Sequence, residues 1–317
     1  MVKLGHLGCV RGVLAVSEYM DKLIERETAP RNPLVAAPAL AVQFFLIPLA
    51  VVALAVSVYV GFRSLLADTR TPQDYLREVQ MGGSNRRWPA AYELSRLMSD
   101  PKVRGDKTLA PALVKAFENS QADSQVRRYL ALAIGRLDPP LPPEAIADLT
   151  KALEDPDSET RISVIWALGS SGDAAVVPRL VPLYTAQDAD PGIRKMVVYA
   201  LGALPGTEQI VTLRTALQDD TVDVRWNAAV ALARKGSHEG VPVLKQMLDR
   251  AYVEQAVKRD VRQDTDEDPI ADVMISGLRA AAALNDETLK SSVVALSRGD
   301  RSLKVRDAAL EALKVMG

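Results

Sequence analysis

Four aspartates in this chain are each followed, a fixed distance later, by an arginine, and this spacing is the first pattern that could carry chemistry. The pairs are Asp155/Arg161, Asp188/Arg194, Asp219/Arg225 and Asp300/Arg306. Such an aspartate can accept hydrogen bonds from the free backbone N–H groups at the start of a helix. The arginine can bond turn carbonyls or the aspartate of a neighbouring unit. The structural interpretation is therefore favoured over a catalytic Asp/Arg pair.

Other groups that could carry catalysis are few. The chain has two histidines, His6 and His238, and one cysteine, Cys9. It has no His-Glu-x-x-His or Cys-x-x-Cys motif, no glycine-rich phosphate loop and no Gly-x-Ser-x-Gly turn. The sequence therefore predicts no catalytic residue, no metal site, no cofactor and no small-molecule substrate, and hence that the chain is not an enzyme.

Composition and charge narrow the class of protein. Apolar residues make up 48% of the chain but aromatic residues only 5%, and Ala, Leu and Val dominate the apolar set, which is typical of closely packed helices. We therefore expect an all-α fold. The net charge is −1, so the clustered basic charge that nucleic-acid binding requires is lacking, and nucleic acid is not an expected partner.

A long uncharged segment lies near the N-terminus. No charged residue occurs from Asn32 to Phe62, and a stretch of this length predicts a single transmembrane helix over 34–63. The tail would then be 1–33 and the linker 64–74. A cleaved signal peptide and a buried core helix are the alternatives, but no small-x-small cleavage site follows Gly61.

The rest of the chain, 75–317, contains a recurring block. A small apolar residue precedes an arginine, and apolar residues follow four and seven positions after it. These positions share one face of a helix, and a second periodic stretch separates successive blocks, so each unit is predicted to be a helix pair. Seven pairs are expected, at 72–99, 107–138, 143–171, 174–205, 207–236, 239–284 and 286–317, with a charged loop inserted at about 249–269.

These blocks, together with the Asp/Arg pairs, resemble the HEAT-repeat family, in particular its short bacterial form known from phycobilisome lyases. The resemblance implies an α-solenoid that serves as an interaction scaffold. Insertions and aromatic side chains on second helices are the candidate contacts for a partner. The aromatic candidates are Trp88, Tyr92, Trp166, Tyr199 and Trp226. Packing between adjacent repeats is the alternative role of these side chains.

Taken together, the sequence predicts a non-catalytic, membrane-anchored scaffold that binds a protein partner, which is itself expected to be associated with a membrane. The expected location is the bacterial cytoplasmic membrane. The arginines and lysines that flank this segment do not determine on which side of the membrane the soluble part lies, and they favour the cytoplasmic side only slightly. An accessory subunit of a membrane complex, such as a transporter or respiratory assembly, is the alternative. A bilin-lyase-like enzyme, implied by the family resemblance, is a more remote one.

Overall fold

The computed structural model describes residues 45–66, 70–186, 190–257 and 268–317. The chain divides into two compact units, Met1–Thr69 and Arg70–Gly317. The tail at 1–33, with His6 and Cys9, lies outside the described residues, and so does Asp188. Regular structure in the described ranges is helical, without a strand. The predicted all-α solenoid is thereby confirmed.

The first unit contributes one described helix, α1, at Ile47–Leu66, whose apolar side chains from Ile47 to Val60 are largely exposed. None of the helices in the described ranges has both the length and the apolar character needed to span a bilayer. Residues 34–44 of the predicted transmembrane helix at 34–63 lie outside the described residues. The finding on the described helices does not support that transmembrane helix, and the predicted single-pass location in the bacterial inner membrane is therefore wrong.

The second unit is a series of helix pairs, each with a first and a second helix. The first helices are α2 (Pro72–Met81), α5 (Leu109–Glu118), α7 (Pro143–Lys151), α9 (Val177–Thr185), α11 (Ile210–Ala216), α13 (Val241–Met247) and α16 (Glu287–Gly299). The second helices are α3 (Ser84–Leu97), α6 (Ser124–Ile134), α8 (Ser158–Gly169), α10 (Pro191–Ala203), α12 (Val222–Arg234), α15 (Pro269–Leu284) and α17 (Leu303–Met316). Two further helices, α4 (Pro101–Arg104) and α14 (Arg250–Val257), lie between elements of this series.

Several second helices begin at an aspartate that caps them. The carboxylates of Asp123, Asp157, Asp190 and Asp268 accept hydrogen bonds from backbone N–H groups in the first turns of α6, α8, α10 and α15. Each cap satisfies a donor that the helix itself leaves unpaired, and replacing such a cap by alanine typically costs about 1 kcal/mol. The start of these helices is therefore encoded locally.

The core follows the predicted face of the second helices. Residues four and seven positions after the block arginine are fully buried in four consecutive units. They are Ala131 and Ile134, Ile165 and Leu168, Val198 and Leu201, and Ala229 and Leu232. The last helix differs, since Leu310 of α17 is 49% exposed. This face is covered by the next repeat elsewhere in the array, which explains its burial there.

Second helices approach one another closely through glycine and alanine. A Cβ atom added to Gly169 of α8 would lie 2.8 Å from the Cα of Ala200 in α10. One added to Gly202 of α10 would lie 2.5 Å from the Cβ of Ala231 in α12. Contacts between neighbouring first helices are sparser. An array that is tighter in one layer curves toward that layer, so the second helices line its inner side.

Candidate functional site

A groove of about 510 Å³ lies in the second-helix layer between α10, α12 and α15. It forms at the sixth repeat, where α12 and α15 contact each other less extensively than other neighbouring second helices do. On its other side α15 packs tightly on α13, as Gly277 shows: a Cβ atom added there would lie 2.9 Å from the Cβ of Met247. We call this depression the groove. Its volume is in the range of sites that bind a small molecule or a short peptide segment.

The middle of the groove is apolar and aromatic. Trp226 of α12 is 4% exposed, and its indole Nε1 has no hydrogen-bond partner in the described part of the chain. Tyr199 of α10 is 37% exposed and lines the same groove, as do Met196 and Val230. A buried donor without an acceptor is unfavourable, so Trp226 is an unsatisfied polar side chain in the lining of the groove.

The ends of the groove carry opposite charges. Lys195 Nζ and the carboxylate of Asp223 are 3.3 Å apart, which places the N-terminal ends of α10 and α12 side by side. Asp223 and Asp272 lie toward the N-terminal ends of their helices, while Arg234 and Arg279 lie further toward the C-terminal ends. Within the described ranges neither Arg234 nor Arg279 forms an ion pair, and both are exposed. The groove is therefore acidic at one end and basic at the other.

The other predicted aromatic residues do not join this groove. Trp88 and Tyr92 of α3 are 40% and 43% exposed and contact Tyr129 of α6, with ring centroids 6.5 and 5.3 Å apart. Trp166 of α8 packs beneath Gly135, and the guanidinium of Arg136 lies 5.6 Å from its ring centroid. The structure thus divides the five aromatic candidates into an exposed N-terminal cluster, Trp88 and Tyr92, one residue that packs between repeats, Trp166, and the two groove residues, Tyr199 and Trp226.

Three aspartates of the predicted pairs, Asp155, Asp219 and Asp300, accept hydrogen bonds from an arginine of the preceding repeat. Arg194 donates from Nε and Nη2 to both carboxylate oxygens of Asp219, at 2.9 and 3.0 Å. Arg127 Nε similarly reaches Asp155 at 2.8 Å. Both arginines therefore contact the aspartate of the following unit. Arg225 takes the other predicted role and donates to the turn carbonyls of Asp219 and Asp220 at 2.6 and 3.0 Å.

These aspartates also organise the turn before the second helix. Asp155, Asp219 and Asp300 each accept a hydrogen bond from the backbone N–H two residues later, at 2.8 to 3.0 Å. Burial works to raise the pKa of Asp219, but hydrogen bonds from Arg194 and from the backbone outweigh it and hold the pKa below its usual value. In contrast, Nε of Arg161 and Nε of Arg306 are buried without a hydrogen-bond partner among the described residues.

The sixth repeat lacks the block arginine, and α14 supplies a substitute that sequence analysis missed. Arg250 at the start of α14 donates from Nε and Nη2 to Asp300, at 2.7 and 2.5 Å. The side chain of Asp300 is only 1% exposed. The segment expected to be a charged loop at 249–269 thus begins as a helix that ties the sixth repeat to the seventh, while residues 258–267 lie outside the described chain.

One histidine lies near the groove in sequence. His238 follows α12, and its Nδ1 is 2.6 Å from a carboxylate oxygen of Asp286, which follows α15. Hydrogen bonds from Thr288 and His238 lower the pKa of Asp286 to about 2. This contact joins the C-terminal ends of α12 and α15. No group of three or more His, Cys, Asp or Glu side chains suited to a metal ion occurs in the described ranges.

Comparison with known families identifies the repeats. The family of HEAT repeats matches residues 110–190 and 183–263. These segments coincide with the stacked helix pairs from α5 to α14, so the predicted HEAT-repeat character is confirmed for this part of the chain. The match identifies the type of repeat that builds this part of the array. It does not identify a function, because HEAT repeats occur in proteins with unrelated functions.

The chain is also similar to individual proteins. A deoxyhypusine hydroxylase from Eremothecium gossypii is 29% identical over 132 residues, which cover 42% of this chain and 40% of the hydroxylase. Among solved structures, the complex of CpcE and CpcF of phycocyanin lyase from Nostoc sp. matches with a TM-score of 0.50, 19% identity and coverage of 79% of this chain and 95% of that chain. Human deoxyhypusine hydroxylase in complex with glycerol matches with a TM-score of 0.34 and 17% identity, covering 76% of this chain and 84% of that chain.

These comparisons correct the predicted function. The chain resembles a hydroxylase in sequence over part of its length, and this contradicts both the prediction that it performs no chemistry and the prediction of a non-catalytic membrane-anchored scaffold. The sequence reasoning failed because it searched for short catalytic motifs. The similarity to the hydroxylase is spread over 132 residues, and a search for short motifs does not register it.

Proposed function

We propose that this chain is a HEAT-repeat protein that takes part in the covalent modification of another protein, which it binds in the groove between α10, α12 and α15. The observation that carries the proposal is the groove itself. It combines an apolar centre, a buried indole N–H without an acceptor and charges at both ends, which is the composition expected of a binding site with defined specificity.

The relatives support the enzymatic part of the proposal. The sequence relative is a hydroxylase, and the structural neighbour that shares the fold belongs to phycocyanin lyase and was solved as a complex of two chains. A protein partner also agrees with the repeats, because stacked helix pairs present an extended inner surface for another chain. The aligned part of the hydroxylase is less than half of it, so the reaction is not transferred to this chain.

Site-specific photo-crosslinking in cells that produce the protein tests the proposal. A photoreactive phenylalanine analogue replaces Tyr199 in the groove, and a matched variant carries it at Arg179 on the first-helix layer. We expect Tyr199 to capture a protein that Arg179 does not. That protein should differ in intact mass between cells with and without this chain. An identical mass in both kinds of cell would refute a role in modification, and equal capture from both positions would refute the groove.

A further inference from the structure

The charges of the groove specify which kind of segment it accepts. Because α10, α12 and α15 run parallel, the acidic residues Asp223 and Asp272 lie toward one end and Arg234 and Arg279 toward the other. Asp223 already forms an ion pair with Lys195. Asp272, Arg234 and Arg279 have no ion-pair partner within the described ranges. These three groups can therefore pair with charges from outside the chain.

The positions of these charges also determine how many residues of a bound peptide span the groove. Asp272 and Arg279 lie on one helix with a rise of about 10 Å between them, and Asp223 and Arg234 are separated by about 16 Å along α12. An extended peptide advances about 3.3 Å per residue. The two ends of the groove are thus spanned by roughly three to five residues of an extended chain.

We infer, on the basis of the proposed function, that the groove binds an extended segment of the partner protein with a basic residue and an acidic residue three to five positions apart and an apolar residue between them. The basic side chain pairs with Asp272, and the acidic one lies between Arg234 and Arg279. The apolar residue packs on Met196 and Val230.

The physical chemistry favours this occupant over an uncharged apolar one. An apolar segment would bury the guanidinium groups of Arg234 and Arg279 without a partner, which is unfavourable. An acidic side chain instead offers both of them charge-assisted hydrogen bonds. In the free protein, Asp272 in the first turn of α15 and Arg234 in the last turn of α12 complement the helix dipoles, and Arg279 is exposed to solvent, so the unpaired charges are tolerated.

Selection from a random heptapeptide library displayed on phage, with the full-length chain as bait, tests this inference. We expect enriched peptides to share the basic–apolar–acidic pattern in the stated spacing. They should bind the Arg234→Gln/Arg279→Gln variant about tenfold more weakly. The control variant, Arg179→Gln/Arg298→Gln, carries the same change in net charge on first helices and should bind like the wild type. Circular dichroism verifies that both variants are folded.

A second variant separates specific from general charge effects. When the Asp272→Asn variant is the bait, the enriched peptides should no longer share a basic residue but should still share the acidic one. Failure to enrich any peptide, enrichment without the charge pattern, or equal binding by the double arginine variant would each overturn the inference. A groove crosslink from Tyr199 that persists in such a case would leave the proposed function intact, so the two ideas fail separately.

Discussion

Replacing Arg194 by alanine tests the principle that holds consecutive repeats together. Arg194 belongs to α10 and donates two hydrogen bonds to Asp219 of the next repeat. The side chain of Asp219 is 6% exposed and that of Arg194 is 21% exposed. Removing the arginine therefore leaves a nearly buried carboxylate without its main counter-charge.

The expected cost follows from the burial of this pair. Breaking a buried ion pair by removing one partner typically costs about 3–5 kcal/mol. Asp219 keeps hydrogen bonds from the backbone N–H of Thr221 and from the hydroxyl of Tyr184, and these reduce the penalty. We therefore expect Arg194→Ala to lower the free energy of unfolding by about 2–4 kcal/mol.

The neighbouring residue provides the control. Lys195 also pairs with the next repeat, but it and Asp223 are 43% and 47% exposed. An exposed pair contributes about 0–1 kcal/mol, so Lys195→Ala should cost much less. Urea denaturation followed by circular dichroism measures the two costs. Amide hydrogen exchange shows whether the loss is local to the fourth and fifth repeats, as expected for an array with nearest-neighbour coupling.

A double variant isolates the reason for the loss. If the stranded carboxylate is responsible, adding Asp219→Asn to Arg194→Ala should restore part of the lost stability, because a neutral amide is less costly to bury than a charge. A double variant that is less stable than Arg194→Ala alone would refute the reasoning. Equal costs for Arg194→Ala and Lys195→Ala would refute it as well.

Three further predictions concern other parts of the array. Gly202→Ala should destabilise the protein by about 1–3 kcal/mol, because the added methyl group collides with the next second helix. Gly299→Ala is the control: its methyl group meets no atom within 4 Å, so the variant should be neutral or slightly stabilising in the same urea assay. Arg250→Ala should lower the free energy of unfolding by about 3 kcal/mol, because it leaves the buried Asp300 without its counter-charge. Faster amide exchange in α16 and α17 would show this loss of stability. Asp286→Asn should lower the melting temperature at pH 7. The pKa of Asp286 is about 2 in the folded protein and 3.8 ordinarily, so its contribution is complete above pH 3.8 and is lost as the pH falls toward 2. The difference from the wild type should therefore shrink over that interval, and a difference independent of pH would contradict the lowered pKa of Asp286, which hydrogen bonds from Thr288 and His238 cause.

The aromatic candidates illustrate how far sequence reasoning reached into the site. Their spacing placed Tyr199 and Trp226 on second helices, which are the helices that form the groove. The same spacing could not separate them from Trp166, which packs against Gly135. It also missed Tyr129, which completes the exposed cluster with Trp88. Whether a side chain faces solvent, a neighbour or a groove depends on the rotation and separation of adjacent helices, and these are properties of the packed array.

The charged residues of the groove were missed for a related reason. Arg234 and Arg279 lie in different repeats and belong to no recurring motif. Their common site exists because α15 packs tightly on α13 and less closely on α12. A scan for short motifs does not register residues that become neighbours only through this irregularity in the sixth repeat.

The sequence by itself determined the helices, their apolar faces and the repeat from which the array is built, because helical periodicity and aspartate caps act over a few neighbouring residues. Only the tertiary structure decided that arginine pairs with the aspartate of the following repeat, that Arg250 replaces the absent arginine of the sixth, and where the groove opens. These contacts join residues 25 to 50 positions apart. Such pairings depend on how one helix pair stacks on the next, and no local pattern specifies that geometry.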